Sequence, residues 1–270
     1  MLVAAIVLVG CGGDPKHAAE PLAAPTANPT EMLRHGVASS APLRTFGVAV
    51  DATLQARFRP GSVSTLVSDA VREPLTVHGQ GWVNGGAATV DADMTIPGLP
   101  SLAATVTKAG EGLYIDLLGT TYRVTSPRPF SPAGLPHALL GWVRSPTIVG
   151  RETVDGVPTT HIRGTISATR AVNDLASFVP SLLPTPTLRR ALAHGVTPGS
   201  IDIWIGVEDT RPRRIAASVD YAKVPAIPTL ISANLTFNMR LSFDRAPAEI
   251  TAPDRWEPLS LDRLGVLARG

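Results

Sequence analysis

The feature that most constrains the fold of this chain is an alternation of apolar and polar residues that returns in many short segments. Between Phe46 and Arg57 every second residue is apolar, and Leu235 to Asp244 has the cleanest alternation of the chain. Successive side chains of a β-strand point to opposite faces, so a period of two predicts strands with one apolar face and one polar face. Such strands are typical of an antiparallel sheet packed on one side.

Turn residues divide the chain into strands at short spacing. Asn84-Gly85-Gly86 predicts a tight hairpin between Leu75–Val83 and Ala88–Ile96. The other predicted strands are Leu102–Val106, Leu113–Leu117, Tyr122–Thr125, Thr147–Arg151, Val157–Thr169, Ile201–Ile205, Ile215–Tyr221 and Leu235–Phe243. Short strands joined by turns predict an antiparallel meander.

Three stretches lack this alternation and predict short helices. Thr30–Ser40 is one, with Thr30 as the N-cap and Glu31 in the first turn. A second short helix is expected within Ser126–Pro146, lying across the sheet. Arg170–Gly195 predicts two short helices rather than one, because its prolines forbid a continuous helix.

Composition restricts the classes of function. The formal net charge is +2, so nothing suggests an electrostatic grip on nucleic acid, and no nucleic-acid partner is expected. Aromatic residues make up 5% of the chain, so the core must be built from aliphatic side chains. There is one cysteine, which excludes an intramolecular disulfide. We expect a monomer that needs no cofactor.

The N-terminus predicts export and a lipid anchor. Leu2 to Val9 is an unbroken apolar run that leads into Leu8-Val9-Gly10-Cys11, and this arrangement resembles a bacterial lipobox, although no Lys or Arg precedes the run. Eight residues are too few to span a bilayer, which takes about 20. Residues 1–10 are therefore interpreted as a signal peptide and Cys11 as the lipidated residue, which places the protein at the extracytoplasmic face of the cell membrane. A buried core strand is the alternative.

The remaining chain divides into three parts. Residues 11–29 are small, polar and rich in proline, so they predict a flexible tether. Residues 30–258 form the expected folded domain. The tail, residues 259–270, has leucines at helical spacing and is interpreted either as a short docked helix or as a frayed end.

Two segments resemble hairpins of a known family. Glu152 to Gly164 reads ETVDGVPTTHIRG and resembles the E-T-V-D-G-x-x-T-x-H-x-x-G hairpin of the actinobacterial LppX/LprAFG lipoproteins. Ile201–Ile205 reads IDIWI, and with Pro212-Arg213-Arg214-Ile215 it resembles a second hairpin of that family. The resemblance covers about Thr30 to Pro253. The same turn chemistry occurs in the wider LolA/LolB-like superfamily.

The resemblance implies both a fold and a function. The fold is α+β: a strongly curved antiparallel sheet, like an unclosed barrel, with short helices covering the concave face. The function is to hold an acylated lipid or glycolipid in a hydrophobic cavity and to carry or present it between envelope layers, with an envelope transporter as a further partner. The alternative, from a different class, is a membrane-tethered sensor that acts through a protein partner.

Alternation provides the candidate lining residues of such a cavity. They are Val48, Val50, Leu54, Val90, Ala92, Met94, Leu102, Ala104, Ile115, Ile166, Phe178, Leu182, Ile203, Ala217, Phe237, Met239 and Leu241. A plain packed core explains the same pattern. Many small residues on this face favour a hollow between sheet and helices, and prolines in the covering segments favour a lid that can shift.

Residues that would carry catalysis are missing from the sequence pattern. There is no Gly-x-Ser-x-Gly motif, and the histidines lack metal-ligand spacing, so we expect no enzyme activity and no metal. Asp91 and Asp93 share the polar side of a strand, and His161 is expected to be a surface residue. The four tryptophans could mark a membrane-facing rim, but ordinary packing is the favoured interpretation.

Overall fold

A computed structural model describes residues 28–40, 45–59, 73–98, 100–124, 134–178, 186–195, 197, 199–222, 230–243 and 249–259. The fold is α+β, as expected. It is built on a mostly antiparallel sheet of 12 strands that is not closed, with four short helices in the described part of the chain, consistent with an open half-barrel. No helix in these ranges is long and apolar enough to span a bilayer.

The strands follow the alternating segments of the sequence. Their bounds are β1 Thr45–Phe58, β2 Leu75–Asn84, β3 Ala87–Thr95, β4 Leu102–Ala109, β5 Gly112–Leu117, β6 Thr120–Val124, β7 Val143–Val154, β8 Val157–Ile166, β9 Ser200–Gly206, β10 Pro212–Ala222, β11 Leu230–Ser242 and β12 Glu257–Pro258. The helices are α1 Pro29–Ser40, α2 Leu135–Gly141, α3 Ala168–Phe178 and α4 Pro186–Gly195. The two short helices predicted between Arg170 and Gly195 are therefore confirmed.

The sheet consists of two meanders that meet at its centre. The strand order is β12-β6-β5-β4-β3-β2-β1-β11-β10-β9-β8-β7. β1 and β11 pair along most of their lengths, from Gly47 opposite Ser242 to Phe58 opposite Leu230. β12 was not predicted, and it is the one described strand that pairs in parallel, beside β6. The first and the eleventh strands thus join the two meanders into one sheet.

The predicted hairpin at Asn84-Gly85-Gly86 is confirmed. Asn84 pairs with Ala87, so the turn contains only Gly85 and Gly86. Gly85 has φ +60°, a left-handed conformation that glycine adopts without the steric cost of a Cβ atom. This turn fixes the register of β2 and β3.

The start of α1 differs from the prediction. The helix begins at Pro29, and the backbone N–H of Thr30 donates to Asn28 Oδ1 at 2.9 Å. Asn28 therefore caps the helix, and the prediction of Thr30 as the N-cap was wrong. Proline at the first helical position is favourable, because its missing N–H has no partner in a helix in any case.

The junction between β8 and α3 also differs from the prediction. The strand was expected to run to Thr169, with Ala168 on the same face as Ile166, but β8 ends at Ile166 and α3 begins at Ala168. The Ser167 N–H donates to the Trp142 carbonyl at 2.8 Å, and the Ser167 carbonyl accepts from the Ala171 N–H at 2.9 Å. Ser167 thus leaves the strand ladder and opens the helix.

Candidate functional site

The cross-strand register defines two faces of the sheet. Residues directly opposite one another on neighbouring strands share a face. Met239 is opposite both Val50 on β1 and Ile215 on β10, and Ile215 is opposite Ile203 on β9. We call this apolar side the inner face and the other side the outer face.

Every candidate lining residue that lies on a strand belongs to the inner face. These residues are Val48, Val50, Leu54, Val90, Ala92, Met94, Leu102, Ala104, Ile115, Ile166, Ile203, Ala217, Phe237, Met239 and Leu241. The two candidates from the helical insertion are not placed. Phe178 ends α3 but its side chain is not described, and Leu182 lies outside the described residues. Cys11, residues 1–27 and the tail beyond Leu259 also lie outside them.

The inner face of β7 to β11, which we call the helix-covered half, is packed against helices. Leu33 of α1, Leu140 of α2 and Ala171 of α3 belong to the same core cluster as Ile203 and Ile215. Both isoleucines have 0% exposed surface. In this half, the inner face is covered by side chains of the protein itself.

Polar contacts fix the helices in place over this half. The Trp142 indole, just after α2, is buried and donates to Asp174 Oδ2 on α3 at 2.8 Å. At the end of α1, the Ser39 hydroxyl donates to the Thr210 carbonyl at 2.8 Å. The helices are therefore attached to one another and to the sheet by specific hydrogen bonds as well as by apolar packing.

The inner face of β2 to β6, which we call the hairpin half, is different. Val83 and Ala88 still belong to the main core cluster, and Met94 and Val106 are buried, but Leu102, Ala104, Ile115 and Leu117 are half-buried. A small core cluster contains Val77 and Met94 of this half together with Ala52 of β1. Half-buried aliphatic side chains pack against it: Leu54, Leu75, Ile96, Leu102 and Leu235. Several apolar side chains on the inner face of the described hairpin half thus remain partly exposed to solvent.

A row of glycine and alanine residues crosses β2, β3 and β4 in the hairpin half. Gly79, Ala92 and Ala104 are direct cross-strand neighbours on β2, β3 and β4. Same-face rows of a sheet are about 7 Å apart along the strands, so the larger side chains of the flanking rows stand on either side. The register thus indicates a shallow depression over β2 to β4, which we call the trough and which ends at Leu117, the cross-strand neighbour of Ala104 on β5. Its walls are Val77, Met94 and Leu102 on one side, and Val90, Val106 and Ile115 on the other.

One charged residue on the inner face was missed by sequence reasoning. Lys108 lies opposite Ala88 and Leu113, so its side chain starts from the apolar face, and the residue is 7% exposed. Its ammonium donates to the Gly110 carbonyl in the β4–β5 turn. The predicted strand ended at Val106, and extending the alternation by two residues would have placed Lys108 correctly.

The outer face carries a buried polar cluster around His161. His161 Nδ1 lies 2.7 Å from Glu152 Oε1, and His161 Nε2 lies 2.6 Å from Asp202 Oδ1. The Trp204 ring stacks on the imidazole at a centroid distance of 4.3 Å, and its N–H donates to Glu152 Oε2 at 2.8 Å. His161 is 5% exposed, so its expected surface position was wrong. Neighbouring strands supply both the carboxylates and the ring that covers it.

This cluster explains the two hairpin motifs of the sequence in structural terms. Glu152 and His161 come from the first motif, and Trp204 and Arg214 come from the second. The Arg214 guanidinium lies over the Trp204 ring at 4.6 Å. The motif residues therefore connect four adjacent strands, β7 to β10, through their outer-face side chains.

The electrostatics of the cluster favour an ionised Asp202. Burial alone would raise the pKa of its carboxyl, but hydrogen bonds from His161 and Arg163 outweigh that effect and lower the pKa below its ordinary value. Arg163 Nε donates to the same oxygen at 2.8 Å. Ionised Asp202 thus links β9 to β8 through its contacts with His161 and Arg163.

The acidic and aromatic residues outside this cluster are dispersed over the described sheet. The described residues contain no group of three or more His, Cys, Asp or Glu that could hold a metal ion. Asp91 and Asp93 are exposed on the outer face, and Asp91 accepts from the Thr105 hydroxyl at 2.7 Å. Trp142 and Trp204 are buried in packing contacts, whereas Trp256 is exposed and carries Arg123 over its ring.

The similarities of this chain are to solved structures. No protein-family model matches the chain, and no curated protein sequence matches it significantly. The chain is similar to the solved structure of LprF from Mycobacterium bovis, with 18% identity and a TM-score of 0.49 over 85% of this chain and 99% of that one. It is also similar to the lipoprotein LppX from Mycobacterium tuberculosis, with 17% identity and a TM-score of 0.44 over 83% of this chain and 100% of that one. A LolA superfamily protein from Nitrosomonas europaea has 12% identity and a TM-score of 0.31, over 85% of this chain and 99% of that one.

Proposed function

We propose that this protein is an envelope lipoprotein that binds an acylated lipid or glycolipid on the inner face and carries or presents it between envelope layers. The observation that supports the proposal is the trough, a row of Gly and Ala side chains between aliphatic walls in the hairpin half. An acyl chain fits a long, narrow apolar depression better than a polar ligand does. The family resemblance of the hairpins implies the same class of ligand.

The hairpin half is the better place for the ligand. In the helix-covered half, Ile201, Ile203 and Ile215 are fully buried against protein side chains. A well-packed interior leaves no voids of useful size, so a chain could enter there only by displacing helices. Ala104 and Ile115, in contrast, retain exposed apolar surface that a bound chain would bury.

The energy of burial explains why such a container is needed. Each methylene removed from water contributes about 0.8 kcal/mol, so an acyl chain of about 16 carbons gains on the order of 10 kcal/mol on burial. A free lipid therefore does not leave a membrane for water at a useful rate. A protein that offers comparable burial makes the transfer nearly neutral. This function requires no catalytic group.

The proposed anchor would keep the container close to its lipid source. We propose that Cys11 carries the acyl anchor and that residues 11–27 act as the tether, since Asn28 and Pro29 already belong to the start of α1. Fully extended, a tether of this length reaches about 60 Å. The domain could then turn its inner face toward the membrane or away from it without dissociating.

The proposal is tested by asking whether lipid loading depends on the trough. The full chain carrying Cys11→Ser has no covalent anchor, so any acyl lipid in a solvent extract of the purified protein is bound non-covalently. In this background, Ala104→Trp would fill the trough, and we expect at least about a tenfold loss of co-purified lipid by mass spectrometry, because the indole occupies the space of the chain. Intact protein without the Cys11 change should carry acyl mass on that residue.

The matched control lies one residue away. Ala103 is exposed on the outer face, so Ala103→Trp adds the same ring to the same strand on the opposite side. Loading should be unchanged in this variant. Equal loading in both variants would place the lipid elsewhere. A lipid-free extract from the Cys11→Ser parent would refute carriage and favour the alternative of a tethered sensor that acts through a protein partner.

A further inference from the structure

Two arginines face each other on the outer face of the sheet. Arg214 on β10 is directly opposite Arg240 on β11. Like charges at such cross-strand positions are unfavourable, because their Cβ atoms are only about 5 Å apart. We call these two residues the arginine pair. The pair lies on the opposite side of the sheet from the trough, so its ability to bind a ligand is independent of lipid binding there.

The nearby carboxylates are already occupied by other donors. Glu152 contacts His161 and accepts from Trp204, and Asp202 contacts His161 and accepts from Arg163. Across the sheet, Asp51 on β1 contacts His78.

Asp155 is the remaining acid beside the pair. Its Oδ1 lies 3.8 Å from Arg240 Nη1, and its side chain is 61% exposed. Among the described residues, Asp155 is thus the one carboxylate that forms an ion pair with either guanidinium, and it is loosely held.

The geometry of Arg214 leaves its terminal nitrogens available. Its Nε donates to Asn238 Oδ1 at 2.8 Å, and its guanidinium rests on the Trp204 ring. These two contacts fix the plane of the guanidinium. The terminal NH₂ groups make no hydrogen bond to a described residue, so a fixed fork of donors is presented at the surface.

The two guanidinium groups repel each other, and the side chains beside them are small. Burial and the nearby Arg240 lower the pKa of Arg214, and the carboxylates of Glu152, Asp155 and Asp202 offset only part of that shift, yet arginine stays protonated at any physiological pH. Arg240 Nε is buried without a hydrogen-bond partner among the described residues. The cross-strand neighbour of Arg240 on the other side is Ala49, and Ala216 follows Arg214 by two residues, so small side chains adjoin the guanidinium groups.

We propose that the arginine pair is a binding site for a phosphate group. A phosphate has several acceptor oxygens and more than one negative charge, and it accepts paired hydrogen bonds from guanidinium forks. Placed between Arg214 and Arg240, it would cancel their repulsion and provide acceptors for the Arg214 terminal nitrogens. Free phosphate offers this chemistry in full, and the phosphodiester of a lipid headgroup offers the same paired acceptor oxygens with a single negative charge.

The experiment uses the full chain carrying Cys11→Ser and measures binding of inorganic phosphate by titration calorimetry at constant ionic strength. We expect one site per chain. Arg240→Gln should weaken binding by at least about tenfold, since it removes one charge-assisted pair of hydrogen bonds. Arg144 on β7 is an exposed arginine whose cross-strand partner, Thr165, is on the outer face, so Arg144→Gln removes the same charge elsewhere and should leave the affinity unchanged.

A second arm distinguishes the two sources of phosphate. Phosphatidylcholine vesicles with and without phosphatidylglycerol are sedimented with the parent, Arg240→Gln and Arg144→Gln chains. Association that needs phosphatidylglycerol and is lost only in Arg240→Gln supports the site and identifies a lipid headgroup. Phosphate binding that depends on Arg240, without such association, supports the site and identifies a soluble phosphate. The proposal is overturned if both variants weaken binding equally or if neither probe shows a dependence on Arg240.

Discussion

The two halves of the sheet are built from the same alternating strands but bury their inner faces differently. In the helix-covered half, Ile203 and Ile215 are closed off by three helices and have 0% exposed surface. In the hairpin half, Ile115 and Leu117 remain half-buried among the described residues. The alternation of a strand thus determines which side is apolar. It does not determine whether that side is closed by the protein or left accessible to a ligand.

The outer face repeats the contrast with polar groups. Behind the helix-covered half, Glu152, His161 and Asp202 form a buried cluster with Trp204. Behind the hairpin half, Asp91 and Asp93 are exposed and Asp116 is half-buried, and Asp91 and Asp116 each accept a hydrogen bond from one threonine hydroxyl. We infer that stability is concentrated in the helix-covered half, and that the hairpin half has greater freedom to adapt. Measurements of unfolding can test this difference between the halves.

The largest effect is expected from removing buried aliphatic volume in each half. Ile203→Ala should lower the free energy of unfolding by roughly 3 kcal/mol, because it leaves a cavity in a closed core. Ile115→Ala makes the same chemical change where the side chain is half-buried, and it should cost roughly 1 kcal/mol. Urea denaturation of both variants measures the difference. Equal losses would mean that the two halves are equally closed.

The next effect concerns the buried charge of Asp202. Asp202→Asn should cost roughly 2 kcal/mol at neutral pH, because it weakens hydrogen bonds to charged partners. Since the folded-state pKa of Asp202 is lowered, its contribution is present above the ordinary value of 3.8 and is lost as the pH falls through the lowered one. The difference in the free energy of unfolding between wild type and variant should therefore become smaller in acid. Urea denaturation at pH values from neutral to about pH 3 measures this difference.

The control for that titration is on the other half. Asp91→Asn changes an exposed carboxylate whose bond is to a neutral hydroxyl. It should have little effect on unfolding at either pH, because exposed charges contribute little to stability. A gap for Asp202→Asn that widens in acid would contradict the stabilising role of the ionised form.

The smallest effect is expected at the tip of the first hairpin. Gly85 has φ +60°, so Gly85→Ala should destabilise by about 1 kcal/mol through the steric cost of a Cβ atom in that conformation. Gly86 lies beside it, has no positive φ and has open space around it, so Gly86→Ala is the matched control and should cost less. Urea denaturation measures the loss in the free energy of unfolding for each variant. The ratio of the two losses reports how much the hairpin half depends on turn geometry. Equal losses would show that the turn conformation contributes nothing specific.

The sequence predicted the strands and their apolar side well, for a simple reason. Side-chain direction along a strand depends only on local alternation, which is why Val48, Ala104 and Met239 were assigned to one face although they lie far apart in the chain. The short helices followed from equally local signals, their prolines above all. The pattern could not show which half the helices cover, because that depends on how distant strands are ordered.

The errors at His161 and at the arginine pair have a common physical origin. His161 alternates as an outward residue, and only the cross-strand neighbours Glu152 and Trp204 turn that outward position into a buried one. The arginine pair was missed for the same reason, since Arg214 and Arg240 meet only through the register of β10 and β11. Pairing between strands is a tertiary property, and a single strand carries little information about it.

The central ladder between β1 and β11 has a consequence for how the molecule is made. Val48 finds its partner Leu241 only at the far end of the polypeptide, and contacts so distant in sequence form slowly because a large loop must close first. While the chain emerges from the ribosome, each meander can form its own local hairpins, but the seam that unites them must wait until synthesis is almost complete. A protein with this order of strands therefore stays unfinished until its last strands are free.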